Sequence, residues 1–246
     1  MIKKILFAVS VALIVAYLGL SITAFNVQPA NVVCNDLELI IKDSINAGFV
    51  TKKEVTSILK KDELYPVGKP MENILCKAME EVLEKHPLID EVECYKMPNG
   101  KVAVEVTQRV PLLRIMNNKG ENYYIDNKGG IMPPESKCVA HLAIATGNVG
   151  KEFATNELYA FAQYLRKNKF WNAQIEQINV LSSKELELVP RVGDHIIFLG
   201  KIDNYESKLS RLKEFYSKGL NKVGWNKYER INLEFNNQII CTKRKE

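Results

Sequence analysis

Hydrophobic and polar positions divide the chain into stretches of different period. The first is an unbroken apolar run, Ile5 to Phe25, and no charged residue occurs between Lys4 and Asp36. At about 1.5 Å per residue, such a helix matches the roughly 30 Å hydrocarbon core of a bilayer. Short strict patterns follow. In "DLELIIKD", Leu37, Leu39 and Ile41 alternate with Glu38, Ile40 and Lys42, the period of a half-buried strand. "TKKEVTSILKK" opens on Thr51 and Glu54 at capping-box spacing, with Val55, Ile58 and Leu59 as an apolar stripe. "MENILCKAMEEVLEKHP" predicts a second helix with Ile74, Leu75, Ala78, Met79, Val82 and Leu83 on one face and Pro87 near its end. "LIDEVECYK" and "KVAVEVTQR" predict two strands around Pro98-Asn99-Gly100. The expected small core holds Ile58, Leu75, Val82 and Val104, and Lys42, Glu105 and Thr107 take the polar side of the sheet.

The second half mixes the same two periods. "NYYIDNKGGIM" predicts a hairpin, "VAHLAIATG" a strand, and Leu158, Phe161, Ala162 and Leu165 a helix. "QIEQINV", "ELELVPRV" and "HIIFLG" predict three more strands, and "NYESKLSRLKEFYSKGL" a helix with Tyr205, Leu209, Leu212 and Tyr216 in its stripe. The chain closes on "INLEFNNQIICTKRKE". Asn236-Asn237 fits a two-residue turn, which sets Phe235 opposite Gln238, Leu233 opposite Ile240 and Ile231 opposite Thr242. That register turns Ile240 inward with Leu233 and leaves Ile239 and Cys241 on the other face. The fold class is α+β, a β-α-α-β-β unit followed by a mostly antiparallel sheet with packed helices.

Charge changes the reading of the first stretch. Lys3 and Lys4 precede the apolar run, so the positive-inside rule puts the N-terminus in the cytoplasm and everything after Phe25 outside. The run exceeds the 7–15 apolar residues usual in a signal peptide, roughly counted, and no A-x-A site follows it, which favours an uncleaved anchor. The formal charge of +5, from 34 basic and 29 acidic residues, is spread along the chain, and no basic block interleaves with aromatics. Nucleic-acid binding is therefore disfavoured. Five cysteines, Cys34, Cys76, Cys94, Cys138 and Cys241, show no C-x-x-C spacing, which argues against a zinc ribbon or a thioredoxin-type site. Disulfides are chemically possible outside the membrane, and the spacing does not say which cysteines meet.

The strand and helix order with "FVTKKEV" and "LEKHPLIDEVECYKMPNGKVAVEVTQRVPLLRI" resembles a POTRA domain. An N-terminal anchor, one such unit, the junction "QRVPLLRI" and then "YYIDNKGGIMP" resemble the FtsQ/DivIB family of bacterial cell-division proteins. The resemblance implies a cytoplasmic tail over 1–4, a transmembrane helix over 5–25, a linker over 26–32, a POTRA domain over 33–111 and a β domain over 112–246. It also implies a single-pass protein of the inner membrane at the division septum, with FtsB- and FtsL-like single-pass partners and a role in controlling septal peptidoglycan synthesis.

No catalytic set accompanies this organisation. Of His86, His141 and His195, the first sits at a helix C-terminus before Pro87 and the last flanks a strand, and there is no H-E-x-x-H, G-x-S-x-G or P-loop. Neither an enzyme, a cofactor nor a metal site is expected. The alternatives are a POTRA-type chaperone and a membrane-anchored cell-wall enzyme or activator. In the FtsQ/DivIB family the last strand of the β domain receives FtsB, so the resemblance assigns partner binding to Phe235, Gln238, Ile239, Ile240, Cys241 and Thr242.

Overall fold

The computed structural model describes residues 11–21, 32–42, 49–134 and 142–245. Lys3 and Lys4, both ends of the apolar run, the linker over 26–31, Cys138 and His141 lie outside the described residues. Residues 11–21 form α1, and Leu13, Val15, Tyr17 and Leu20 on it are each more than 60% exposed. Among the described residues no helix is long and apolar enough to cross a membrane.

The first sheet is built from β1 (Asp36–Lys42), β2 (Ile89–Lys96) and β3 (Lys101–Gln108), in the order β1-β3-β2. The central β3 runs parallel to β1 and antiparallel to β2. Alternation sends Val102, Val104 and Val106 to one side. There they meet Val55 and Leu59 of α2 (Lys52–Lys61) and Met79 and Leu83 of α3 (Cys76–Leu83). The capping box is formed: Thr51 Oγ1 accepts the Glu54 N–H, and the Glu54 carboxylate accepts the Thr51 N–H at 2.8 Å.

One expected core residue is misplaced by the sequence pattern. Leu75 is 64% exposed, and Ile58 and Val82 are only partly buried. The reason is that α3 begins at Cys76. Leu75 is its N-cap, with non-helical backbone (φ -97°, ψ 87°), so the helical period does not reach it and Ile74 turns inward instead.

Only Arg109 and Val110 separate β3 from β4 (Pro111–Asn117), the first strand of the second sheet. The sequence pattern treats "PLLRI" as a junction, but β4 is an interior strand between β5 (Asn122–Asp126) and β7 (Ile144–Gly147). A short continuous apolar run has no phase to announce a strand. The sheet has nine strands, adding β6 (Ile131–Met132), β8 (Ile175–Val180), β9 (Leu186–Pro190), β10 (Ile196–Gly200), β11 (Tyr228–Asn232) and β12 (Ile240–Lys243). Their order is β12-β11-β10-β9-β8-β7-β4-β5-β6. Five of its neighbour pairs are antiparallel and three, β4 with β7, β7 with β8 and β10 with β11, are parallel.

Two of the parallel pairs need helical crossovers. α4 (Lys151–Thr155), α5 (Glu157–Lys167) and α6 (Lys169–Gln174) connect β7 to β8. α7 (Tyr205–Phe215), a π-helical turn (Tyr216–Leu220) and α8 (Asn221–Val223) connect β10 to β11. These helices cover one face, where Leu158, Phe161, Trp171, Leu209 and Leu212 pack on Ile115, Ile178, Leu188, Ile197 and Ile231. The other face shows Met116, Ile196 and Ile240 to solvent. At its β5–β6 end, Tyr124 and Met132 join the core of the first sheet.

A polar latch joins the two sheets. Arg109 Nε and Nη2 donate to Asp126 Oδ2 at 2.8 and 2.5 Å, and its Nη1 donates to the Pro87 carbonyl at 3.0 Å. Asp126 Oδ1 accepts the N–H groups of Lys128 and Gly130. A Cβ at Gly130 would stand 2.5 Å from Arg109 Nη2, so glycine is what lets the hairpin approach the guanidinium.

Candidate functional site: the C-terminal sheet edge

β12 is one edge strand of the nine-stranded sheet, at the opposite side from β6, and arginines fasten the connection before it and the residue after it. At the turn, Arg211 of α7 donates to the carbonyls of Phe235 (3.0 Å) and Leu233 (3.3 Å). At the far end, the Arg244 N–H donates to the Lys227 carbonyl, and its Nη2 reaches the Asp194 carbonyl at 2.7 Å. Asn232 Oδ1 accepts the Glu234 N–H, which starts the bend, and Asn237 supplies a positive φ of 62°.

The connection is longer than the two-residue turn expected, and the register differs by one. Ile231 stands opposite Cys241, Asn232 opposite Ile240 and Arg230 opposite Thr242. A slip of one residue exchanges the two faces of a strand. Ile239 and Cys241 therefore pack against the helix-covered core, whereas Ile240 is 46% exposed on the open face. The expectation of an inward Ile240 and an outward Ile239 is overturned. Thr242 shares the open face, and Gln238 and Phe235 lie exposed in the connection. The structure thus brings Ile240 and Thr242 together and separates them from Ile239 and Cys241.

The backbone directions follow from the same pairing. The Leu233 N–H donates to the Phe198 carbonyl of β10 at 2.9 Å. Ile231 and Leu233 therefore bond toward β10, and Arg230 and Asn232 bond toward β12. Ile240 and Thr242 answer them, and beyond the register shift at Tyr228 the Arg244 N–H turns in to the Lys227 carbonyl, which leaves the N–H and C=O of Cys241 and Lys243 directed away from the sheet.

Side chains that the sequence pattern did not single out complete this surface. Arg230 Nη1 meets Glu187 Oε1 at 2.7 Å, and its guanidinium lies over the Phe198 ring at 4.6 Å. Ile196, 39% exposed, flanks them on β10. Behind the edge, buried His195 Nε2 is 2.7 Å from the Tyr216 hydroxyl. Burial holds the His195 imidazole below its ordinary pKa of 6.5 and raises that of the Tyr216 phenol. Burial likewise raises the Cys241 thiol. Arg211 and Arg244 reach carbonyls far along the chain, and no local pattern signals such contacts. Among the described residues, no group of three or more His, Cys, Asp or Glu side chains is placed to hold a metal ion.

A family model described as a POTRA-like domain matches residues 32–107, so this is a POTRA-bearing α+β protein. A second, described as FtsQ/DivIB, C-terminal related, matches residues 110–242 and ends inside β12. That span is more than half of the 246 residues, and the chain belongs to the FtsQ/DivIB family of cell-division proteins. No curated protein matches the chain.

Proposed function

We propose that the protein is a non-enzymatic scaffold of the division machinery, with β12 as the docking edge for an extended segment of an FtsB- or FtsL-like single-pass partner. The observation that carries this is the unpaired edge with outward N–H and C=O groups at Cys241 and Lys243, beside exposed Ile240. Strand addition takes affinity from main-chain bonds and choice of partner from alternate side chains. Ile240, Thr242 and Phe235 supply the exposed contacts, and Ile239 and Cys241 anchor the strand from beneath. Residues 5–25 serve as the membrane anchor, with Lys3 and Lys4 in the cytoplasm and both folded units outside. This reading is supported by the exposed apolar side chains of α1. Held there, the protein acts on septal peptidoglycan synthesis through its partners.

Proline scanning of the edge tests this reading. Proline is tolerated where an edge N–H faces solvent, and it disrupts a ladder where the N–H is bonded. Lys243→Pro keeps the fold and loses capture of the co-expressed partner, whereas Lys243→Ala keeps both. Thr242→Pro damages the fold as well. Ile240→Lys spares the melting temperature and weakens capture, and Ile239→Lys destabilises the domain. Undiminished capture by a folded Lys243→Pro, Ile240→Lys double variant excludes β12 as the docking edge.

A further inference from the structure

We propose that Cys76 and Cys94 form a reversible disulfide that staples α3 to β2 and makes the POTRA-like unit sensitive to its redox surroundings. Cys94 stands opposite the fully buried Val104 and so faces the helices. Its Sγ lies 3.9 Å from the Met79 sulfur, and its N–H donates to the Glu80 carboxylate at 2.7 Å. Cys76 is the first residue of α3, three and four positions before these two, so all three share one helix face. Helical side chains lean toward the N-terminus, which directs the Met79 and Glu80 contacts toward the turn occupied by Cys76. Burial first, and then the interaction with the Cys76 thiol, push the Cys94 thiol upward.

The remaining described thiols are differently placed. Cys34 is 1% exposed and donates to the Asp36 carbonyl at 3.3 Å, and Cys241 lies on the other sheet. Cys76 and Cys94 are both half-buried, so a small disulfide has access to them.

The oxidant is a low-molecular-weight disulfide such as oxidised glutathione. The Cys76 thiolate attacks one of its sulfurs and releases one glutathione thiolate, giving a mixed disulfide. Cys94 then loses its proton and attacks the Cys76 sulfur, releasing the second glutathione thiolate. Two protein thiols are oxidised, one small disulfide is reduced to two thiols, and the two protons pass to the leaving thiolates. The bond closes a loop over 76–94. That loop contains Pro87 and Leu88, whose carbonyls accept from Arg109 at the latch between the sheets. Oxidation therefore stiffens the POTRA-like unit and its seat on the larger sheet. In cells the supply of oxidant rests on the extracytoplasmic placement proposed above, and the experiment below does not.

Full-length protein, purified reduced in detergent, is treated with oxidised glutathione, quenched with N-ethylmaleimide, digested with trypsin and analysed by mass spectrometry. The expected product is a linked pair of peptides, 62–77 with 86–96, lost on reduction. Oxidation raises the melting temperature of the POTRA-like unit by about 12–24 °C, the scale expected for a loop of this size. Cys94→Ser accumulates the glutathione mixed disulfide at Cys76 and shows no such rise. Glutathione adducts on both cysteines without a link, a link from either to another cysteine, or two alkylated thiols after treatment each overturn the proposal.

Discussion

The three-stranded sheet and the C-terminal edge of the nine-stranded sheet each expose one edge isoleucine, Ile40 of β1 at 40% and Ile240 of β12 at 46%, and differ in what surrounds it. On the outer face of the former, Lys42 Nζ sits 3.1 Å from Glu93 and 2.9 Å from Glu105, and Lys101 sits 3.0 Å from Asp36. The Tyr95 hydroxyl donates to Glu105 at 2.8 Å. Three of these charged residues, Asp36, Lys42 and Lys101, lie at the ends of the paired strands β1 and β3. Around β12 the fastening groups, Arg211 and Arg244, hold the connection before the strand and the residue after it, and Ile240 is exposed between them. Ion-paired side chains carried on the edge strand itself, as on β1, protect it from strand addition, and an edge fastened only through backbone carbonyls beyond its ends is pre-organised to accept one.

The largest effect that sharpens this contrast is loss of the smaller core. Leu83→Ala removes a fully buried side chain and costs about 2–5 kcal/mol, a large share of the stability of so small a unit. Leu75→Ala, at an exposed N-cap, changes stability by about 0.5 kcal/mol or less. Both tryptophans, Trp171 and Trp225, lie in the larger domain. Leu83→Ala is therefore expected to abolish protease resistance over 32–107 and leave the tryptophan emission native-like.

Cutting the latch comes next. Asp126 is 4% exposed, so Arg109→Ala strands a buried carboxylate. Its two backbone N–H donors keep the loss near the low end of about 3–5 kcal/mol. Calorimetry is expected to move the transition of the smaller unit further below that of the larger one in this variant.

Arg211→Ala frees two carbonyls at the β11–β12 turn and costs about 1.5–3 kcal/mol. Hydrogen exchange is expected to accelerate at Ile240 and Thr242 and remain unchanged in β1–β3. Equal acceleration in both sheets removes the distinction between them.

The smallest effect separates the regions by pH. Burial depresses the pKa of His195, so the unfolded chain binds the extra proton first. The stabilising contribution of neutral His195 is present above 6.5 and is lost as pH falls below it. Glu105 is held below its ordinary 4.5 by Lys42 first, so its contribution persists until pH falls below that value. Between these limits the larger domain is expected to soften while the smaller one holds. In thermal melts of the larger domain, His195→Gln is expected to flatten the slope.

Legibility differed between regions for a physical reason. The capping box, the valine alternation of β3 and the stripes of α2 and α5 depend on neighbours two to four residues away, so their sequence carries them. The candidate site was legible as a terminal strand and illegible in phase. Ile239 and Ile240 are adjacent and both apolar, so a period of two fits equally well with either one inward.

By itself, then, the sequence determined two α+β units, their order, the apolar N-terminal run and the position of the last strand. Tertiary structure decided the rest. It shortened α3 so that Leu75 faces water, and it inserted β4 into the middle of a sheet. It also set the β12 register, with Ile231 opposite Cys241, and brought Arg211 to carbonyls 22 and 24 residues away. Those outcomes turn on which backbone groups and side chains meet across space, and hydrophobic periodicity records only which side of an element is apolar.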